Sequence, residues 1–270
     1  MDKYSILIPT YNNSLVEIKN TFSCFNVDEH ILVIDDGSDK PFLEITKDLL
    51  HEFSNLKVIT LSENQGIENA LRLGVAELID KYQYIARMDI GDLCDSSRFA
   101  KQYEFMTNNQ EYVIVGTWTK FLNESGQLEF LHKTPVEDSE IRKNMYKNNM
   151  FVHPSVMLKS STLKLVGSYS TDFKACEDYE LFFRMLHVGK GYNIPEFLTS
   201  YEVNYNSISS KKRRMQISNR IRVILKNFEM FKYGIYPYYG LIRSIIMICL
   251  NRKQSTLLNR ILKKNSSIFS

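Results

Sequence analysis

His30-Ile31-Leu32-Val33-Ile34 runs without a break into Asp35-Asp36-Gly37-Ser38, and Tyr84-Ile85-Ala86-Arg87-Met88 runs in the same way into Asp89-Ile90-Gly91-Asp92. Short β-branched runs of this kind read as buried strands. In an open α/β sheet, ligands bind at the carboxyl ends of the strands. Four carboxylates at one such edge repel each other and any anionic ligand. The arrangement makes sense if one pair binds a base or sugar hydroxyls and the other holds a cation.

Working outward, strand and helix alternate through the first 115 residues. Strands are expected at Tyr4 to Pro9, at Ile31, at Leu56 to Leu61, at Tyr84 and at Tyr112 to Thr119. Helices are expected at Leu15 to Phe25, Phe42 to Phe53, from Asn64-Gln65-Gly66 onward, and at Ser97 to Asn109. This order predicts an α/β fold, with a mainly parallel sheet flanked by helices. The middle is less regular. A hairpin turns at Asn123-Glu124-Ser125-Gly126, and a polar helix runs from Asp138, as N-cap, to Asn148. A short strand follows at Val156 to Leu158, a helix at Glu177 to Val188 and a last strand at Phe197 to Tyr205.

The end of the chain is helical and basic. Ile217, Ile221, Ile224, Phe228 and Phe231 share one helical face, and Pro237 interrupts the pattern. Leu241 to Leu250 is apolar but only about ten residues long, where a bilayer span needs about 20. Residues 206–270 hold fourteen Lys or Arg against the single acid Glu229, a net of +13; the whole chain is +3, so residues 1–205 carry −10. A basic tail on an acidic body points to an anionic partner. Nucleic acid is not expected, since no binding motif accompanies the charge.

At 270 residues the chain is one large domain or two closely joined halves. Met1-Asp2-Lys3 passes straight into a strand, with no leader expected. Cys24, Cys94, Cys176 and Cys249 are scattered, as free thiols of a reducing compartment are.

Several side chains can carry chemistry, each against a plainer reading. Tyr11, after Ile8-Pro9-Thr10, can stack on a flat base; a strand-to-helix turn explains it too. Asp35 and Asp36 can take a base imide N–H and a ribose hydroxyl; an Asp-Gly turn is the alternative. Asp89 and Asp92 suit a hard divalent cation with substrate phosphates, or a turn with a helix cap. Glu177 and Asp178 open a helix, where a carboxylate tends to stay ionised and can act as a general base. His153 is held extended by Pro154 and can ligate a metal, although a lone histidine is more often structural. Arg72 and Arg87 can contact a diphosphate or support the aspartates.

Taken in order, Ile8-Pro9-Thr10-Tyr11-Asn12, Val33-Ile34-Asp35-Asp36-Gly37-Ser38, Asn64-Gln65-Gly66, Ala86-Arg87-Met88-Asp89-Ile90-Gly91-Asp92, His153-Pro154-Ser155 and Glu177-Asp178-Tyr179-Glu180-Leu181 resemble the family-two inverting glycosyltransferases of the bacterial cell-surface polysaccharide and lipooligosaccharide type. The resemblance covers roughly residues 4–190. It implies the GT-A fold, a Rossmann-like mixed sheet, in residues 1–205. The nucleotide-sugar half would be about 1–115, the acceptor half about 116–205, and 206–270 a helical extension. It implies that Pro9, Tyr11 and Asp36 line the nucleoside pocket with Asp35 nearby, and that Asp89 and Asp92 form the site of Mg2+ or Mn2+ and of the donor sugar; Asn64 and Arg72 are further candidates for donor contact, Arg72 standing where many relatives carry a small polar residue, and His153 for metal or phosphate. Asp178 would be the base, helped by Glu177. The donor would be a nucleotide-sugar, a UDP-sugar, and the acceptor a glycan or lipid-linked hydroxyl. Residues 206–270 would seat the enzyme on the anionic inner face of the cytoplasmic membrane, through Lys211-Lys212-Arg213-Arg214 and Tyr236 to Lys253, or else pack on the domain or form a homodimer contact.

One position departs from the family's Asp-x-Asp-Asp: the third is Gly91. Two other readings stand beside this one. A sugar-phosphate nucleotidyltransferase should carry a Gly-rich basic loop after its first strand, and Pro9-Thr10-Tyr11-Asn12 is not one. A non-catalytic nucleotide-sugar-binding scaffold is consistent with Gly91 but has no use for a base at Asp178.

Overall fold

The computed structural model describes residues 1–47, 49–123, 125–202 and 213–250. The strands are β1 Asp2–Thr10, β2 Ile31–Asp35, β3 Leu56–Thr60, β4 Tyr82–Arg87, β5 Leu93–Cys94, β6 Tyr112–Leu122, β7 Leu128–His132, β8 Met157–Lys159 and β9 Lys190–Glu202. The helices are α1 Leu15–Phe22, α2 Phe42–Ile45, α3 Leu49–Glu52, α4 Ile67–Leu78, α5 Arg98–Asn108, α6 Asp138–Met145, α7 Ser160–Val166, α8 Glu177–Val188, α9 Arg213–Lys226 and α10 Tyr236–Cys249.

One mixed sheet carries the fold, in the order β3-β2-β1-β4-β8-β6-β9-β5, with β7 paired to β6. β3, β2, β1 and β4 are parallel, and β8 enters antiparallel between β4 and β6. Alternation along the strands sorts side chains to two faces. Ile6, Ile8, Ile31 and Val33 pack with Ile18 and Phe22 of α1 and Phe99 of α5 on one face. Leu7, Leu32, Ile34 and Ile85 pack with Ala70, Leu71 and Val75 of α4 and with Leu181 and Phe182 of α8 on the other. A strand buried on both faces must be apolar throughout, and β2 is, up to Asp35.

β1 lies between β2 and β4, so the chain's order reverses there. The crevice beyond the carboxyl ends of such strands is where an open sheet receives a ligand. The residues that follow β1, β2, β3 and β4 all leave at this edge.

Several expected elements differ. The helix expected at Phe42 to Phe53 is two single turns, because Thr46 leaves the helix while both its N–H and its hydroxyl bond the Phe42 carbonyl at 3.1 and 2.7 Å. Helix α1 stops at Phe22, three residues early. The N-cap of α6 is Glu137; Asp138 is the first helical residue, and its carboxylate binds Arg142 and the Gly191 N–H. Helix α7 and strand β5 had no expectation. The last strand starts earlier, at Lys190, and the expected residues 203–205 lie outside the described ones. In α9 the buried residues are Asn219, Val223 and Ile224, while Phe231, expected on the inner face, is 80% exposed. No helix among the described residues is long and apolar enough to cross a membrane.

Candidate active site

The loops after β1 and β2 are tied to each other. Asn12, at φ 55°, donates its N–H to Ser38 Oγ at 2.8 Å and its amide to Asp39 at 3.1 Å, and receives the Asp39 N–H at 2.8 Å. Gly37 sits at φ +71°, and a Cβ there would come 2.4 Å from the Glu63 carbonyl carbon. Only glycine lets the turn after β2 lie this close to the loop after β3. Tyr11 stands at this rim, 47% exposed, with its ring open to a ligand, and Pro9 is buried in the strand beneath.

The two aspartates at the end of β2 have different fates. Asp35 is 0% exposed and spends its oxygens on the Ser38 and Phe42 N–H groups, at 3.0 and 2.8 Å. It clamps the turn and the start of α2, next to Asp36 at the cleft edge. Asp36 accepts the Gln65 N–H at 2.8 Å and the Gly66 N–H at 2.9 Å, and so fixes the loop that opens α4. Each of its oxygens keeps a further lone pair for a donor from the cleft. Asn64 is exposed on that loop. Arg72 is exposed on α4 and bonds Asn69 at 3.1 Å, so it is not drawn in among the acids.

Beyond β4 the centre of the arrangement is Arg87. It is 2% exposed; one nitrogen of its guanidinium donates to the Met88 carbonyl and to Asp89, and Nε and Nη2 have no partner. Its charge is felt by His153, Glu177, Asp178 and Asp92. Asp89 is half-buried. Asp92 is 4% exposed; its Oδ1 accepts the Glu202 N–H at 3.1 Å and its Oδ2 is unpartnered. Burial, with the like charge of Asp89, pushes the Asp92 carboxyl well above the usual range. Thr21 of α1 holds the turn, accepting the Gly91 N–H at 2.9 Å and donating to the Asp92 carbonyl at 3.0 Å.

An orphaned carboxylate oxygen beside a second carboxylate fits a divalent cation, which takes one or two protein carboxylates and completes its shell with phosphate and water. No cluster of three His, Cys, Asp or Glu converges among the described residues, so such an ion would draw most of its ligands from the substrate. His153 is not placed as a third ligand. Its Nε2 is 2.9 Å from the Tyr169 hydroxyl, and burial together with the Arg87 charge holds it neutral, well below its ordinary range.

Helix α8 opens at Glu177, as expected from the sequence. Asp178 accepts the Asn149 amide at 2.8 Å and the Tyr179 N–H at 2.7 Å, and burial raises its carboxyl. Glu177 is 6% exposed with Oε2 unpartnered; burial and then Asp178 push it up to about 8. Both carboxyls are thus raised, each mainly by its burial. Tyr169 feels Arg87, Asp178, Glu177 and Asp89 alike, which places it between the two acid pairs. Glu68, 5% exposed on α4, accepts the N–H of Ala175 at 3.4 Å, with Ala175 at φ 60°. It links the Asp36 loop to the turn before Glu177. The structure thus gathers Asp89, Asp92, Glu177 and Asp178 around Arg87. Asn149, Tyr169, Glu68 and Thr21 join them without a motif of their own.

The comparisons with known proteins bear on the family and the fold. The model of Glycosyl transferase family 2 matches residues 5–165. The O-antigen biosynthesis glycosyltransferase WbnJ of Escherichia coli is 33% identical over 196 residues, 70% of this chain and 72% of that protein. The UDP-Gal:alpha-D-GlcNAc-diphosphoundecaprenol beta-1,3-galactosyltransferase of Escherichia coli is 28% identical over 255 residues, 90% and 89% of the two chains. Among solved structures, the mannosyltransferase PcManGT from Pyrobaculum calidifontis, in complex with GDP-Man and Mn2+, superimposes with a TM-score of 0.64 at 12% identity, covering 94% of this chain and 71% of that one. It shares the GT-A fold. With a family match over more than half its length, this chain belongs to glycosyl transferase family 2.

Proposed function

We propose that the protein is an inverting glycosyltransferase that moves a hexose-type sugar from a UDP-sugar to a hydroxyl of a glycan or lipid-linked acceptor, in the synthesis of a cell-surface polysaccharide. The observation that carries this reading is the convergence of two acid pairs, Asp89 with Asp92 and Glu177 with Asp178, on the buried Arg87. One pair suits the diphosphate end of the donor and the other suits a base.

In this reading Tyr11 stacks on the base of the nucleotide and Asp36 accepts its imide N–H, with Asn64 and Arg72 at the outer edge of the donor. The acceptor O–H gives its proton to Asp178, which Asn149 orients. The acceptor oxygen attacks the anomeric carbon from the face opposite the diphosphate. The bond from that carbon to the diphosphate oxygen breaks, and its electron pair leaves with the nucleoside diphosphate. Configuration is inverted because entry and departure are on opposite faces. Asp89 and Asp92 would hold a divalent ion, Mg2+ or Mn2+, whose positive charge would stabilise a departing diphosphate. Arg87 adds charge from below and keeps Asp89 in place.

The basic segment 206–270 suits work at the anionic inner face of the cytoplasmic membrane, where a lipid-linked acceptor is held; a homodimer contact is the competing use. The test is a panel of nucleoside diphosphates and their sugars in thermal-shift assays with and without Mn2+, followed by transfer to a diphosphate-lipid-linked amino sugar. The reading expects UDP and one UDP-sugar to raise Tm and label to pass to the acceptor. A panel in which no nucleotide shifts Tm would overturn it.

A further inference from the structure

Helix α9 buries Val223 and Ile224 in the core, and α10 packs Tyr236 and Leu241 against it, yet α10 also turns a second apolar stripe outward. Helix α10 packs inward with Pro237, Gly240 and Ser244. Gly240 lies so close to α6 that an added Cβ would come 2.1 Å from the Tyr146 carbonyl oxygen. The large apolar side chains face out: Tyr238, Tyr239, Ile242, Ile245 and Ile246 are 38–58% exposed. Their spacing of three and four residues sets them in one stripe along the helix. A surface helix ordinarily turns such a stripe toward the core. Single exposed isoleucines need no explanation, but a continuous stripe marks a contact surface.

Charge selects what covers it. Arg213, at the start of α9, donates to the Met247 and Leu250 carbonyls at 2.8 and 3.1 Å, so the start of α9 and the end of α10 lie side by side. Arg213 and Arg214 stand at that end; in the sequence Lys211-Lys212 precede them and Arg252-Lys253 follow α10, all four outside the described residues. Between 213 and 250 the one acid, Glu229, is paired with Lys232 at 2.6 Å. Residues 1–205 carry a net −10 and would be repelled by an anionic surface, which leaves this hairpin as the element able to approach one.

We propose that the outer face of α10 docks on an anionic bilayer, its aromatic and isoleucine stripe lying among the acyl-chain ends of the headgroup layer, with Arg213 and Arg214 at the start of α9 on the side of the lipid phosphates. Helices with an apolar face and basic flanks bind membranes in this manner, lying in the interface without spanning it. The inference deepens the reading of a lipid-linked acceptor and rests on it for its purpose, while its physics stands apart from the chemistry of the cleft.

The test uses the full chain with vesicles of phosphatidylcholine, alone or mixed with phosphatidylglycerol, in co-sedimentation. The wild type should bind the mixed vesicles, and bind them less as salt rises. The triple variant Ile242→Ser, Ile245→Ser, Ile246→Ser should lose about tenfold or more in vesicle affinity, while its Tm shift with UDP stays that of the wild type. As a gain-of-signal check, Ile245→Trp should shift its emission to the blue on the mixed vesicles. The proposal is overturned if the wild type ignores these vesicles, if the triple variant binds as well as the wild type, or if the Ile245→Trp emission does not move. It is overturned too if light scattering finds a wild-type dimer that the triple variant loses, which would make the stripe a self-contact. Loss of vesicle binding with UDP binding intact counts against the docking face alone; absent UDP binding with vesicle binding intact counts against the proposed reaction alone.

Discussion

Arg87 donates to the Asp89 carboxylate from a position 2% exposed, and two further nitrogens of the same guanidinium have no partner among the described residues. A buried cation with unused donors is costly unless something completes it. In the proposed reading, the oxygen-rich end of a nucleotide-sugar completes it.

Replacing Arg87 by Met should therefore act on folding and on donor affinity together. Removing one partner of a buried ion pair costs about 3–5 kcal/mol, so the variant should melt well below the wild type. Arg87→Lys keeps a charge but not the fork, and should recover part of the Tm and little of the UDP-sugar affinity. A Lys variant with wild-type affinity would show that Arg87 acts only as a charge.

Asp36 grips two backbone N–H groups with two oxygens. Asp36→Asn turns an amide N–H toward one of them, and leaving a buried donor unpaired costs about 1–3 kcal/mol. UDP titrations should find weaker binding, with the loss present for the bare nucleotide as well as for the sugar nucleotide. A loss confined to the sugar nucleotide would place Asp36 in the wrong subsite.

Glu177 gives a stability test with a definite sign. Its folded value, about 8, lies above that of an unfolded glutamate, so the native state holds a proton that the unfolded chain releases. Stability from this group is present below the unfolded value and falls as pH rises toward 8. Glu177→Gln carries no such proton. The Tm of wild type should therefore drop relative to that of Glu177→Gln as pH is raised from the acid side to about 8, read in matched buffers by calorimetry. Parallel Tm profiles would contradict the assignment.

Gly37→Ala meets both a positive φ and a backbone clash. Strained backbone of this kind costs about 1–3 kcal/mol before the contact with Glu63 is counted. The variant should lose stability and nucleotide affinity together, because Gly37 holds the loops after β2 and β3 in register. Chemical denaturation at unchanged m-value would measure the loss.

Much of this site is legible in the chain because its motifs are local. The strand ends at Asp35-Asp36 and Asp89 announce themselves by apolar runs that stop at carboxylates, and α8 opens at Glu177 as its acidic first turn suggests. What is not legible is long-range. Asp35 and Asp36 look alike in sequence, and only the fold turns one toward its own turn and the other toward the loop at Gly66. Asn149, Tyr169 and Glu68 belong to no run or period; they matter because distant turns meet Asp178, His153 and Ala175. The C-terminal hairpin misleads for a related reason. The stripe expected from Ile217 to Phe231 is met in part, with Ile224 buried, Phe228 against the core and Phe231 outside, while in α10 the residues at 237, 240 and 244 are buried and Ile242, Ile245 and Ile246 are exposed.

The account stands on Asp178 as the group that takes the acceptor's proton. Asp178→Asn keeps the shape and can still accept from Asn149, but cannot serve as a base. Single-turnover transfer from saturating UDP-sugar, at the wild-type pH optimum, is the most direct measurement. A general base contributes typically about 10²–10⁴-fold, so transfer should fall by that order while the UDP dissociation constant, measured on the same sample, stays put. Transfer at the wild-type rate by Asp178→Asn would contradict the assignment of the base and the reaction built on it.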